Sequence, residues 1–178
     1  MVKEKISAKK ESFKVSQKII IIVLVILVVG ISIAYMKSSS HPPPDIDGME
    51  CNQMEQAVFH IHAHLDVYVD GQHRTVPELI GIIPNTCYYW LHTHDPTGII
   101  HIEAPQYQTF TLGQFLDVWS KSYENSGIPP GTPKSYVNGQ EFIGDFRTIP
   151  LTVHEEIVLI YGVPPDSIPT SFDFPQNL

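Results

Sequence analysis

The chain is poor in several things, and each shortage narrows its possible functions. Two cysteines, Cys51 and Cys87, in 178 residues are too few for the disulfide framework of a small secreted scaffold. Basic residues are scarce beyond the N-terminal segment: residues 38–178 carry four Lys or Arg against 17 acids, within a formal net charge of −8. Phosphate recognition needs clustered Lys and Arg, so the composition argues against nucleic acid as a partner. Cations are the species such a surface attracts. There is no Gly-x-Ser-x-Gly elbow, no His-Glu-x-x-His motif and no glycine-rich phosphate loop. No catalytic residue is therefore nominated, and the sequence leaves open whether the protein is an enzyme.

Long apolar runs are absent too, with one exception. Residues 19–36 are 18 positions without a charge, long enough for a helical bilayer span, and Lys18 and Lys37 flank them. The apolar core of a secretory signal is shorter, about 7–15 residues, which favours an uncleaved signal anchor over a cleaved leader. Six Lys against two Glu in residues 1–18 put that basic tail in the cytoplasm and everything after Lys37 outside. The expected organisation is a cytoplasmic tail at 1–18, a transmembrane helix at 19–36, a Ser/Pro-rich stalk at 37–49 with His41 as a linker residue, and one extracytoplasmic domain at 50–178. The chain would then be a single-pass protein of the cell membrane, its stalk stiffened by Pro42, Pro43 and Pro44.

What the chain has in quantity is histidine, and six of its nine sit in two stretches. Residues 58–69 read as a strand with His60, His62, His64, Asp66 and Tyr68 on one face and Ile61, Ala63, Leu65, Val67 and Val69 on the other. Asp70-Gly71 turns the chain into a short return strand over 72–76, where His73 is an edge residue. In the second stretch, an even-numbered loop at Asp95-Pro96-Thr97-Gly98 pairs His92 with His101 and Leu91 with Ile102. His92, His94, His101 and Glu103 then share a face. An odd loop would pair Leu91 with Glu103 and mix the faces, since a slip of one residue inverts every side chain. Thr111 and Gln114 form a capping box for a helix whose Leu112, Phe115, Leu116 and Trp119 make one apolar stripe. Tyr136-Val137-Asn138-Gly139-Gln140 is a type I′ hairpin. Residues 157–161 are a buried final strand, and the tail from Pro164, with Phe172 and Phe174, is expected to cover a sheet edge.

Six imidazoles crowded onto one face without an ion would set polar rings, and in mild acid like charges, against one another. His60, His62, His64, His92, His94, His101 and Glu103 are therefore the candidate metal ligands. Imidazole with carboxylate suits a divalent transition metal, copper or zinc above others. More candidates than the four of a closed structural zinc site imply supporting partners, an open position or two metals. Asp95 is assigned to its own turn, and Asp66 either orients a histidine or stands in solvent, while Glu55 and His154 are secondary candidates. Cys51 and Cys87 each precede a histidine strand and, outside the cytoplasm, are expected to form a disulfide. The alternative is a thiolate ligand that joins Met54 in a soft copper site.

The phrases FHIHAHLDVYVDG, YYWLHTHDPTGIIHIEAP, FTLGQFLDVW and VNGQEFIGD resemble an uncharacterised family of exported or membrane-anchored archaeal and bacterial proteins, over residues 50–175. That resemblance implies export and a shared histidine pattern, and no reaction. A weaker similarity to cupins sets His92, His94 and Glu103 against one motif, and Gly144, Asp145, Pro150 and His154 against the other. Glu103 is farther along than that motif places its carboxylate, Thr152 stands for a glycine, and His154 comes one residue early.

The expected architecture is α+β: a mixed or antiparallel sheet of five to seven strands with one helix on the face away from the histidines, β-grasp-like, preceded by one transmembrane helix. The expected function is a membrane-anchored extracytoplasmic metal-binding protein for capture or transfer of copper or zinc. A metalloenzyme with an open histidine-ligated site is the alternative. The expected partners are the membrane and a metal ion, and the sequence identifies no protein partner.

Overall fold

The computed structural model describes residues 16–38, 42–123 and 126–178. The basic tail up to residue 15 and His41 of the stalk lie outside the described residues. Two compact units result, one ending at Pro42 and one running from Pro43 to Leu178.

The first unit contains helix α1, Gln17–Ser38, 22 residues long, and the side chains described within it, up to Ile33, are all exposed. Among the described residues, whose side chains stop at Ile33 in this helix, no helix is long and apolar enough to cross a membrane.

The second unit is α+β. Its strands are β1 Phe59–Val69, β2 Gln72–Arg74, β3 Ile82–Ile83, β4 Cys87–Tyr88, β5 Leu91–His92, β6 Ile99–Ala104, β7 Lys134–Val137, β8 Gln140–Phe142 and β9 Glu156–Tyr161, with helix α2, Leu112–Ser122, between β6 and β7. Seven of them form one mixed sheet in the order β5-β6-β1-β9-β7-β8, with β2 paired to β1, while β3 and β4 pair separately. β1 is the axis. Its first half pairs antiparallel with β6, from Phe59↔Ala104 to His64↔Ile99, and its second half pairs parallel with β9, from His64↔Glu156 to Val69↔Tyr161.

Alternation then separates two chemistries. Ala63, Leu65, Ile100, Ile102, Ile157 and Leu159 point to the core, where α2 lays Leu112, Phe115, Leu116 and Trp119. The helix starts where the capping box places it. Thr111 Oγ1 accepts from the Gln114 amide at 3.4 Å, and Gln114 Oε1 accepts from the Thr111 amide at 3.0 Å. The register Leu91↔Ile102 and His92↔His101 is the one the even loop requires, and Val137↔Gln140 closes the Asn138-Gly139 hairpin.

The structure differs from the sequence reading in several places. Pairing of β5 stops at His92, so His94 is not a strand residue; the Thr93 amide donates instead to the Ile80 carbonyl at 3.0 Å. The Thr93 side chain, fully buried, holds the same loop by donating to Pro77 O at 2.8 Å and accepting from the Ile80 amide at 3.1 Å. Ile46 and Met49, assigned to the stalk, are buried in the core on either side of the Asp47-Gly48 turn. Their apolar side chains outweigh the neighbouring prolines, and the compact unit begins before residue 50. The C-terminal tail lies against two histidines: Phe172 stacks on His64 with centroids 3.8 Å apart, and Phe174 on His154 at 4.5 Å.

Candidate metal centre

The site is assembled from three neighbouring strands. His62 pairs with His101 across β1 and β6, and His101 with His92 across β6 and β5, so one imidazole per strand forms a row on the face away from α2. His60 precedes that row on β1, Glu103 follows it on β6, and His94 reaches it from the loop after β5.

His92 is fully buried. Its Nδ1 lies 2.9 Å from the Tyr89 carbonyl oxygen; a carbonyl only accepts, so Nδ1 carries the proton and donates it. Burial lowers the His92 pKa to about 4, against the pull of Glu103 and of the Tyr89 carbonyl. The ring is therefore neutral at pH 7 and presents a lone pair at Nε2, the form in which imidazole binds metals. That atom lies 3.2 Å from His94 Nε2, 3.9 Å from Glu55 Oε1 and 4.0 Å from Glu103 Oε1.

His62 forms a second such locus. Burial, then the imidazoles of His101 and His60, lower its pKa to about 4, and its Nε2 lies 3.0 Å from His60 Nε2. His101 stands between the two, its ring centroid 4.6 Å from His62 and 4.4 Å from His94. Its buried Nδ1 has no hydrogen-bond partner and lies 3.5 Å from Glu103 Oε1. The same oxygen is 3.1 Å from His60 Nε2. Burial would raise the Glu103 pKa, but the imidazoles of His101, His92 and His60 outweigh it and hold the carboxylate ionised. In one set, His92, His94, His101 and Glu103 offer ligand atoms all within 4.8 Å of one another; in another, His60, His62 and His101 do. His60 and His94, at 46 % and 40 % side-chain exposure, open the cluster to solvent.

His64 does not take part in this cluster, which corrects the expectation of one six-histidine face. Both its ring nitrogens are engaged, Nδ1 with Glu156 Oε2 at 2.7 Å and Nε2 with Thr97 O at 2.8 Å. Although burial opposes its charge, the hydrogen bond and negative charge of Glu156 raise its pKa. Glu156, fully buried, has its own pKa raised by burial. Nε2 donates to the Thr97 carbonyl and Nδ1 shares a proton with Glu156, so both ring nitrogens are taken up within the protein. His64, Asp66 and Glu156 lie close enough to form a group of their own, but His64 has no free lone pair to give it.

The secondary candidates divide. Glu55 borders the cluster, its Oε1 3.2 Å from His94 Nε2, although it falls in neither set of mutually close ligand atoms. The signal for it was its place just after Cys51, since Cys51 is disulfide-bonded to Cys87, with Cα atoms 5.3 Å apart. That bond also removes the thiolate–Met54 alternative, and Met54 is 75 % exposed. Asp66 accepts from the exposed His73 at 2.9 Å, so the histidine it orients is not one of the cluster. Asp95 accepts from the Thr97 amide at 2.9 Å within its own turn. His154 is exposed and lies 3.2 Å from the Leu178 carbonyl, and Asp145 caps a short 3₁₀ turn, accepting from the Arg147 amide at 3.0 Å. The second cupin-like segment thus adds no residue to either set. No family model, curated protein or solved structure matches the chain.

Proposed function

We propose that the protein is a membrane-anchored, extracytoplasmic metal-binding protein that takes copper or zinc on its histidine face for capture or transfer. The observation that carries this reading is His92. A buried, neutral imidazole, its tautomer fixed by a backbone carbonyl, aims a free Nε2 at a second imidazole nitrogen 3.2 Å away. At that distance the pair is held either by an N–H···N hydrogen bond, with His94 donating, or by a shared ion. Ligand nitrogens sharing an ion with bonds of about 2.0–2.1 Å stand roughly this far apart. Half-exposed His60 and His94 favour exchange over permanent enclosure, because an ion can arrive and leave through them. The anchor rests on the uncharged residues 19–36 and their lysine flanks, and the β-grasp-like reading on the parallel pair of first and last long strands, β1 and β9, at the centre of the sheet.

Elemental analysis of the untagged full-length chain in detergent, after equilibration with Cu²⁺ or Zn²⁺ and desalting, tests the reading. At least one tightly held equivalent is expected, and none would end it. A second reading, a metalloenzyme with an open coordination position, is favoured by the hollow lined by Gln53, Met54, Glu55 and Tyr88, because Glu55 borders both it and His94. Azide added to the Co²⁺-loaded protein would change the visible spectrum if such a position exists and leave it unchanged in a closed set.

A further inference from the structure

We propose that the cluster holds two ions side by side, one on His92 and His94 and the other on His60 and His62, with His101 and Glu103 shared between them. The proposal rests on the metal-binding reading above and deepens it. It starts from two close imidazole pairs. His92 and His94 meet through Nε2 at 3.2 Å, and His60 and His62 meet through Nε2 at 3.0 Å. Each fits an N–H···N hydrogen bond, and each is also the separation that two nitrogens adopt on one ion with bonds of about 2.0–2.1 Å. They arise at opposite ends of the row, one on β5 and its following loop, the other on β1 with β6 between them. The two sets of mutually close ligand atoms overlap at His101 and are otherwise separate.

The residues in the middle have the features of a bridge. His101 is paired in register with both His62 and His92, and its Nδ1 is a buried nitrogen without a hydrogen-bond partner. An orphaned buried nitrogen is costly unless something outside the protein satisfies it. Glu103 Oε1 lies 3.1 Å from His60 Nε2 on one side and 4.0 Å from His92 Nε2 on the other, so one carboxylate faces both pairs. Its negative charge and that of Glu55, 3.2 Å from His94, offset charge that neutral imidazoles cannot. Two-metal sites in proteins hold their ions about 3.5–4 Å apart, a spacing that a shared carboxylate spans.

Titrating Cu²⁺ into the untagged, metal-stripped full-length chain in detergent tests this, read both by bound equivalents and by electron paramagnetic resonance. Two equivalents are expected. The signal should grow through the first and fall short of a full spin count by at least about twofold at the second, because ions sharing ligands couple. Replacing His60 and His62 with Ala, or His92 and His94 with Ala, should each leave one equivalent with an uncoupled signal. One equivalent in the wild-type chain, or two with the full spin count, would overturn the shared pair and leave the metal-binding reading standing. No bound copper would overturn the shared copper pair, and the absence of bound zinc as well would end the metal-binding reading.

Discussion

At the scale of single residues, the surroundings of each histidine decide which could serve as ligands. His60, His62 and His64 look alike in sequence, two residues apart and on one face. Only the first two are free to bind, because β9 brings Glu156 opposite His64 and the turn brings the Thr97 carbonyl. We expect His64→Gln to destabilise the domain by about 3 kcal/mol, the lower end of the cost of unpairing one member of a buried ion pair, and to leave bound metal unchanged. Thermal unfolding and elemental analysis of the variant check the two halves separately, and loss of metal would return His64 to the centre. The pH dependence of the metal-free protein follows from His62 and His92. Their folded-state pKa values are about 4 against the ordinary 6.5, so between those values the unfolded chain binds protons that the folded one does not. Stability therefore rises with pH across that window and is lost as pH falls toward 4, by about 1.4 kcal/mol for each unit of difference per group. His64, its pKa raised, works in the opposite sense: its contribution is present below 6.5 and is lost as pH rises through its folded value. Urea unfolding of the metal-stripped chain at pH 7 and pH 4.5 should give the lower midpoint in acid. Equal midpoints would mean that the acid loss from these two imidazoles does not outweigh the His64 contribution.

Among the elements, what was legible from sequence was whatever is local. Alternation gave the histidine face of β1, uniformity of faces gave the register of β5 on β6, and the Thr111–Gln114 box gave the start of α2. The parallel pairing of β1 with β9 was not legible, since nothing in either strand names a partner some ninety residues away. With it went the fate of His64, the buried role of Glu156 and the path of the tail over the histidines. Glu55 was visible only through the disulfide, which holds the residues after Cys51 beside β4. Reducing Cys51–Cys87, which are 36 residues apart, should cost about 2–4 kcal/mol on the loop-closure account. It should also weaken metal binding through the His92–His94 pair, as Glu55 is no longer held there; Cys51→Ser with Cys87→Ser, assayed by metal competition with a chelator, reads that second effect. Gly98 is the other constraint on the pair. Its φ is +92°, and a Cβ there would meet the Leu65 carbonyl oxygen at 2.5 Å and His64 Nε2 at 2.9 Å. Gly98→Ala should therefore destabilise by more than the ~1 kcal/mol of a left-handed residue alone, because β6 cannot then lie so close to β1.

For the molecule as a whole, the charge distribution and the one apolar run make a claim about membrane topology that differs in kind from the claim about metal. α1 has 22 residues, about 33 Å at 1.5 Å per residue, but among the described residues no helix is long and apolar enough to cross a membrane, so the anchor proposed above rests on the sequence of residues 19–36. Its described side chains from Ile19 to Ile33 include no charge and no partner-bound polar group other than Ser32, whose hydroxyl returns to the Val28 carbonyl at 2.8 Å. In hydrocarbon that internal bond is what a hydroxyl requires. If the segment spans, the lysines of residues 1–18 would favour a cytoplasmic N-terminus, since basic flanks stay in the cytoplasm and acidic ones oppose transfer little. The expected outcome is a full-length protein that resists carbonate extraction, while a protease added to intact cells destroys the domain and spares the N-terminal tail. Changing the lysines of residues 1–18 to glutamate should reverse part of the population, which the same protease assay reads as protected domain. An intact mass for the mature protein that starts near Tyr35 or Ser38 would show instead that the segment is a cleaved leader, and the histidine cluster would then work on a released domain with no tether.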